Sequence, residues 1–272
     1  MKVIANMFSI KLLILIIFLY SNYFTPAGEF IFKYEILISD SIFYMAIPII
    51  SKKRTRGYMS KEEKIRVSNN IPDWFKQVIC GIMLSDGSIR MNGKQALLSI
   101  QQTHKELTQE IWKMCFQLNL VLSGIHIINR DNKKRVYSFQ TLSLPFFTSL
   151  YKDWYKSIDN CSAAPQNIKV LPLNLDFLFT PLALAFLIMG DGSWDKYGSR
   201  IILHLNNFTL YEVNRIQSIL LNKFDISSYL VKTPHSEIDR GYVLKIPSKD
   251  VDKIRALVSS HIYPTLKYKI GL

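Results

Sequence analysis

Cysteine is scarce in this 272-residue chain. Cys80, Cys115 and Cys161 are the whole complement and lie far apart. That is too few and too scattered for a disulfide scaffold or a zinc site, and each reads as a small buried thiol in a reducing compartment. The five histidines, His104, His126, His204, His235 and His261, form no H-x-x-x-H or similar ligand spacing, which excludes the metalloprotease and zinc-finger patterns. Acidic residues are short too, 21 Asp and Glu against 34 Lys and Arg, for a formal net charge of +13. Lys2, Lys11 and Lys33 cancel Glu29, Glu35 and Asp40 within the first fifty residues, so the whole surplus sits on the remainder. A hydrophobic fraction of 49% excludes a disordered basic tail. The length allows one to two domains with a sizeable core. A positive surface on such a body suits a polyanion, either nucleic acid or an anionic membrane.

A long apolar run is also missing. Leu12 to Tyr20 is nine residues without a charge, interrupted upstream by Lys11, whereas a bilayer span needs roughly 20. Lys2 and the short apolar core fit a signal peptide, but no small-x-small cleavage site follows closely. The segment equally fits a leader translated from an upstream reading frame. Residues 51–57 (Ser-Lys-Lys-Arg-Thr-Arg-Gly) form a basic junction that reads as a solvated linker. Residues 1–60 are therefore taken as leader and linker, and no chemistry is expected there.

What is present in the body is a repeat. Residues 79–87 (Ile-Cys-Gly-Ile-Met-Leu-Ser-Asp-Gly) and 184–192 (Leu-Ala-Phe-Leu-Ile-Met-Gly-Asp-Gly) are apolar nonamers ending in small-Asp-Gly, each followed by serine. Both predict a helix. The second has Thr180 as N-cap and Pro181 at the first position, where a missing N–H costs nothing. In each, glycine is expected as a left-handed C-terminal cap. Alternation over 95–101 (Ala96, Leu98, Ile100 against Gln95, Ser99, Gln101) and 200–206 (Ile201, Leu203, Leu205 against Arg200, His204, Asn206) predicts half-buried strands. Capping boxes at Thr103–Glu106 and Thr209–Glu212 predict the next helix. Strand-like runs follow at 125–129 and 135–142, and at 228–233 and 242–246. Ser143 and Ser248 each fall 57 residues after their aspartate and precede a further helix. Each copy reads αββαββα, and the two are offset by 191 − 86 = 105 residues. The first repeat is expected over 71–165, and a linker with the second repeat over 166–272.

Alone, either nonamer reads first as an ordinary buried helix with a capped end. Duplicated, the two helices carry small residues near their ends, Ser85 and Gly190, so close packing is open to them. Their ends then set Asp86 and Asp191 side by side. Two adjacent carboxylates repel, a divalent cation relieves that repulsion, and the arrangement suits metal-assisted phosphodiester hydrolysis.

These residues resemble the signature of the LAGLIDADG homing endonucleases in their single-chain, two-motif form typical of organellar introns. The likeness covers roughly residues 71–272. The opening Ile79-Cys80-Gly81 departs from the consensus, and the middle Asp of the signature is replaced by Leu84 and Met189. The resemblance implies an α+β fold in which two pseudo-twofold αββαββα repeats form a DNA-binding saddle of two antiparallel sheets. It implies that Asp86 and Asp191, with the backbone carbonyls of Ser85 and Gly190, bind Mg2+ or Mn2+. It also implies polar assistance from Gln101 and Asn206 on the first strand of each copy, and basic assistance from Lys169 and Lys269. On the residues alone, those four read equally as solvated surface groups. Candidate DNA contacts are Arg90, Lys94, Gln95, Ser99, Arg130, Lys133, Lys134, Arg135, Lys196, Arg200, His204, Lys232 and Lys245.

The expected activity is site-specific double-strand cleavage by a monomer on a long asymmetric target, with a mitochondrial location (or a chloroplast one) implied by the family. The alternative is an RNA maturase that binds and helps splice its host intron, since phosphates attract a basic surface in either polymer. A membrane-associated protein is the third reading and rests only on the apolar leader.

Overall fold

The computed structural model describes residues 59–129, 134–158, 166–233 and 240–272. The leader, Arg130, Lys133 and Cys161 lie outside them. Helix α1 (Lys61–Asn69) opens on a capping box in which Ser60 and Glu63 exchange side-chain and backbone hydrogen bonds. The first copy then runs α2 (Asp73–Leu84), β1 (Ser88–Asn92), β2 (Gln95–Gln102), α3 (Lys105–Gln117), β3 (His126–Ile128), β4 (Val136–Gln140) and α4 (Pro145–Trp154). A hairpin of β5 (Tyr155–Ile158) and β6 (Gln166–Lys169), then the short α5 (Leu175–Leu178), lead into the second copy. That copy is α6 (Pro181–Asp191), β7 (Gly192–Asp195), β8 (Arg200–His204), α7 (Leu210–Phe224), β9 (Tyr229–Lys232), β10 (Tyr242–Ile246) and α8 (Ser248–Val258), closed by a 3-10 helix, Pro264–Ile270.

Both four-stranded sheets are antiparallel and share one order, β1-β2-β4-β3 and β7-β8-β10-β9. The duplication is thus repeated in topology. Each sheet turns one face toward helices: Ile89, Ala96, Leu98, Ile100 and Phe139 are buried in the first, Ile201, Leu203, Leu244 and Ile246 in the second. The buried residues of both copies join one continuous apolar cluster. Cys80 and Cys115 are buried free thiols within it, and burial pushes both thiols well up from their ordinary range.

Helices α2 and α6 run along each other in the most extensive contact between any two described elements. Equivalent positions meet there. A Cβ on Gly81 would fall 2.2 Å from the Ala183 carbonyl oxygen and 2.6 Å from Cβ of Phe186, and Phe186 is the counterpart of Gly81 at the 105-residue offset. A Cβ on Gly190 would fall 2.6 Å from Cβ of its own counterpart, Ser85. Missing side chains let the backbones touch. Ser85 sits 4% exposed in this seam and satisfies its hydroxyl on the Gly81 and Ile82 carbonyls.

Several expectations need correction. Gly87 and Gly192 are not left-handed caps: Gly192 is extended (φ −84°, ψ 152°), and Gly87 is not among the positive-φ glycines. They are needed for space, because a Cβ on either would strike the preceding turn, 2.8 Å from Ile82 O or 2.5 Å from Ile188 O. Thr209 forms the expected capping box with Glu212, but the N-cap of α3 is His104, without a side-chain cap. The Thr103 reading placed that start one residue early. The alternating strands are the second of each copy, not the first, because β1 and β7 precede them. Asn206 lies in the turn after β8, where its carbonyl accepts from Gly241 N at 3.1 Å. Thr180 and Pro181 open α6 as expected, with Thr180 Oγ1 accepting from Ala183 N.

Alanine favours a helix over glycine by about 1 kcal/mol, yet at Gly81 the added methyl meets backbone. Gly81→Ala is therefore expected to lower the unfolding free energy, by about 1–3 kcal/mol. Denaturant unfolding monitored by far-UV circular dichroism measures it, and a stabilised variant would contradict the helix seam described here.

Candidate functional site

The seam decides where the helix ends go. Asp86 directly follows the last turn of α2, and Asp191 is the last residue of α6. With Gly190 against Ser85, the Asp86 Oδ2 lies 3.9 Å from where a Gly190 Cβ would be. The two carboxylates feel each other. Loss of hydration and then the Asp86 charge raise Asp191 to a pKa of about 6, against the pull of Lys269 and Lys169. Loss of hydration also raises Asp86, opposed by Lys269, Lys169 and His104. Asp86 remains exposed on its outer side, and Asp191 is half-buried.

Two ammonium groups bracket the pair. Lys169, at the end of β6, donates to the carbonyls of Gly87 (2.7 Å) and Ser85 (3.3 Å). Lys269, in the 3-10 helix and only 5% exposed, donates to the carbonyls of Gly190 (2.6 Å) and Met189 (2.7 Å). Burial pulls Lys169 down to about 8, although Asp191 and Asp86 oppose this. Burial lowers Lys269 as well, against the same two carboxylates.

The donor set fits a hard divalent cation. Among the described residues no group of three or more His, Cys, Asp or Glu is poised around an ion, so a cation would take two side-chain carboxylates. It would draw its other ligands from carbonyls, water and phosphate oxygens, as Mg2+ commonly does. The Ser85 and Gly190 carbonyls each already accept from a lysine, which leaves each one lone pair free.

Most of the remaining expected residues lie on the open sheet faces or in turns and at strand ends beside them. Arg90, Gln101, Lys94, Lys134 and Arg135 are exposed, and Gln95 is half-buried. Ser99 is only 7% exposed, its small side chain shadowed between β1 and β4, so its direct contact with a ligand is not supported. On the second sheet, Arg200 forms an ion pair with Asp195 at 2.8 Å and donates to the Tyr229 hydroxyl. His204 Nε2 lies 2.8 Å from Ser193 Oγ, and burial, then Lys269, depress its pKa. Lys196 is exposed in the β7–β8 turn, and Lys245 shares the face of Arg200 and His204. Lys232 does not. It stands opposite Tyr242, on the face of Leu230 and Leu244, with Nζ 5.6 Å from the Tyr242 ring centroid. Period-two alternation turns it away from Lys245.

A cleft of about 470 Å3 opens beside Asp86, lined also by Ser88, Tyr155, Asn167, Lys169, Asn207 and Arg240. Tyr155 accepts from Ile89 N at 3.1 Å. Tyr155, Asn167, Asn207 and Arg240 escaped the sequence reading because they come from the linker hairpin and from turns, where no periodicity marks them. His104 also escaped. It is half-buried, and Asp86 opposes the depression of its pKa by burial, Lys269 and Lys134.

Residues 76–254 match the model of the LAGLIDADG DNA endonuclease family. The cytochrome b mRNA maturase bI2 of Saccharomyces cerevisiae is 29% identical over 234 residues, covering 82% of this chain and 54% of the maturase. The chain thus spans about half the length of that relative. The DNA endonuclease I-ChuI of Chlamydomonas applanata is 24% identical over 210 residues, 72% of this chain and 94% of the enzyme. Among solved structures, the homing endonuclease I-WcaI bound to its DNA recognition sequence has the same fold. Its TM-score is 0.65 at 22% identity, covering 79% of this chain and 95% of that one.

The raised Asp191 pKa sets a direction with pH. The folded protein holds the Asp191 proton more tightly than the unfolded chain, so the stability it lends is full below the ordinary value of 3.8. That stability is lost as pH rises through about 6. In chelator, Asp191→Asn is expected to match the parent near pH 3.5 and to exceed it above pH 6.5. Urea midpoints across that range decide; a difference that does not grow with pH would overturn the raised Asp191 pKa, whose causes are lost hydration first and the Asp86 charge second.

Proposed function

The chain belongs to the LAGLIDADG DNA endonuclease family, and from that premise we propose that it is a metal-dependent, site-specific double-strand DNA endonuclease of the intron-homing kind. The observation that carries this reading is the pair Asp86 and Asp191 at touching helix ends, bracketed by two largely buried lysines. In this reading Mg2+ or Mn2+, when bound by the two carboxylates and assisted by the Ser85 and Gly190 carbonyls, supplies charge neutralisation and a more acidic water.

The chain's own groups do the rest. Each carboxylate orients water on one side of the helix seam, so each DNA strand has its own site. Lys169 and Lys269 lie beside the carboxylates and stabilise negative charge that builds on the phosphate oxygens. Gln101 and Asn206 are proposed to hydrogen-bond the attacking water. The cleft beside Asp86 admits a phosphate, and Arg240 and Asn167 in its wall suit phosphate and sugar contacts.

Arg90, Gln95, Gln101, Arg200, His204 and Lys245 lie on open sheet faces, with Lys94, Lys196, Lys134 and Arg135 at or beside strand ends. They offer strands to the major groove and cations to the backbone of double-stranded DNA. Two repeats in one chain supply both sites, so the active form is a monomer. The family likeness supports an organellar setting, mitochondrial in first place.

A maturase reading is carried by one observation, the alignment of 82% of this chain with a cytochrome b mRNA maturase. It predicts binding to host intron RNA with no need for the carboxylates.

The test is cleavage of a duplex of the joined exons that flank the gene, by the full chain. Magnesium-dependent double-strand breaks are expected. Asp86→Asn and Asp191→Asn should each abolish cleavage or reduce it to nicking. Binding should weaken by about 0.9 in log K per log salt for each phosphate neutralised. Intact cleavage in either variant would sink the mechanism. Tight intron-RNA binding without cleavage would transfer the protein to the maturase reading.

A further inference from the structure

Lys169 and Lys269 are equivalent in the site but not in how they are held. Lys169 ends the hairpin β5–β6, where it pairs in register with Tyr155, and Val170 N donates to Trp154 O at 2.8 Å. Lys269 sits on a 3-10 helix, a weak scaffold by itself. Yet it is among the most deeply buried cations of the described residues, with both neighbours Tyr268 and Ile270 carried on the same short turn.

A clamp from another helix holds this turn. Arg255 of α8 donates from Nε to Ile270 O (2.9 Å) and from Nη2 to Gly271 O (3.0 Å). Its Nη1 pairs with Asp252 at 3.0 Å, which fixes the guanidinium fork. The guanidinium also stacks over Trp194, with Cζ 5.4 Å from the ring centroid. Trp194 lies on β7, three residues after Asp191. Gly271 is left-handed (φ +72°), and a Cβ there would fall 2.7 Å from the Trp194 ring and 2.8 Å from Arg255 Nη2. Ser259 Oγ donates to the Arg255 carbonyl and ties the end of α8.

A closed circuit results: Asp191, the strand to Trp194, the Arg255 guanidinium, the Ile270 carbonyl, Lys269, and the Gly190 carbonyl beside Asp191. We infer that Arg255 is a positioning residue that holds Lys269 at the Asp191 end of the site through the C-terminal turn and Trp194. The reach into catalysis rests on the reading of Lys269 given above, but the placement of its amine does not. The first copy has Leu150 at the position equivalent to Arg255, so the Lys169 side serves as an internal control.

Two measurements on the full chain test this. In amine acylation read by mass spectrometry, Lys269 should be protected in the parent. In Arg255→Ala its labelling should rise about tenfold while Lys169 stays within about twofold, the pattern of local opening. Arg255→Lys keeps a cation over Trp194 but cannot bridge both carbonyls, and it should fall between the two. It also decides the matter if the alanine variant does not fold.

Unchanged Lys269 labelling, or an equal rise at Lys169, overturns the clamp. In strand-resolved cleavage, Arg255→Ala should slow the same strand as Lys269→Met. The double variant should be no slower than Lys269→Met, since groups acting through one another are not additive. If labelling responds as expected but Lys269→Met cuts both strands normally, the clamp stands and the role assigned to Lys269 fails. If Lys269→Met slows one strand and Arg255→Ala slows neither, Arg255 does not act through Lys269.

Discussion

The approach of two helices without side chains between them is the constraint on which the rest depends. Gly81 meets Ala183 and Phe186, and Gly190 meets Ser85, at separations that no Cβ tolerates. Equivalent residues of the two copies therefore face one another, and the last acids of each nonamer follow from that symmetry. The seam belongs to the core, with most of its residues fully buried, so it is rigid on the scale that a pair of carboxylates requires. A looser seam would let Asp86 and Asp191 relax apart, and their mutual repulsion would fall.

That repulsion runs against stability. Asp191 is raised to about 6 by lost hydration and by its neighbour, so near neutral pH the fold carries a net cost at its centre. Strain of this kind is expected at functional sites rather than in structural caps. The lysines offset part of it, and they donate to helix-end carbonyls that otherwise lack partners. The two lysines thus finish the helix ends and, with the two carboxylates, set the charge of the site.

The two copies reach this common centre by different means. One lysine arrives on a linker hairpin between the repeats, the other on a 3-10 turn after the second repeat, held by Arg255 and Trp194. The linker is itself tied to the second copy. Leu171 N donates to Glu212, and Arg215 reaches the Pro172 and Leu173 carbonyls and Asp176. Glu212 therefore both caps its own helix and anchors the strand that delivers Lys169. Duplication of the body did not duplicate the supports, and the sheet faces have diverged too: Ser99 is buried where its counterpart His204 pairs with Ser193.

The sequence by itself determined the duplication, the helix–strand order of both copies and the meeting of the two aspartates. Those features rest on periodicity, capping residues and small residues, which act over a few positions and repeat after 105. It misjudged what depends on neighbours remote in sequence. The glycines after each aspartate serve clearance from Ile82 and Ile188 rather than a left-handed turn, the start of α3 fell to His104 rather than Thr103, and Lys232 faces the wrong side of its strand. Tyr155, Asn167, Arg240 and His104 entered the site unannounced, because turns and linkers carry no period. Only the tertiary structure decided them, since clearance, strand facing and the depth of a lysine are set by packing between segments that the chain order alone does not bring together.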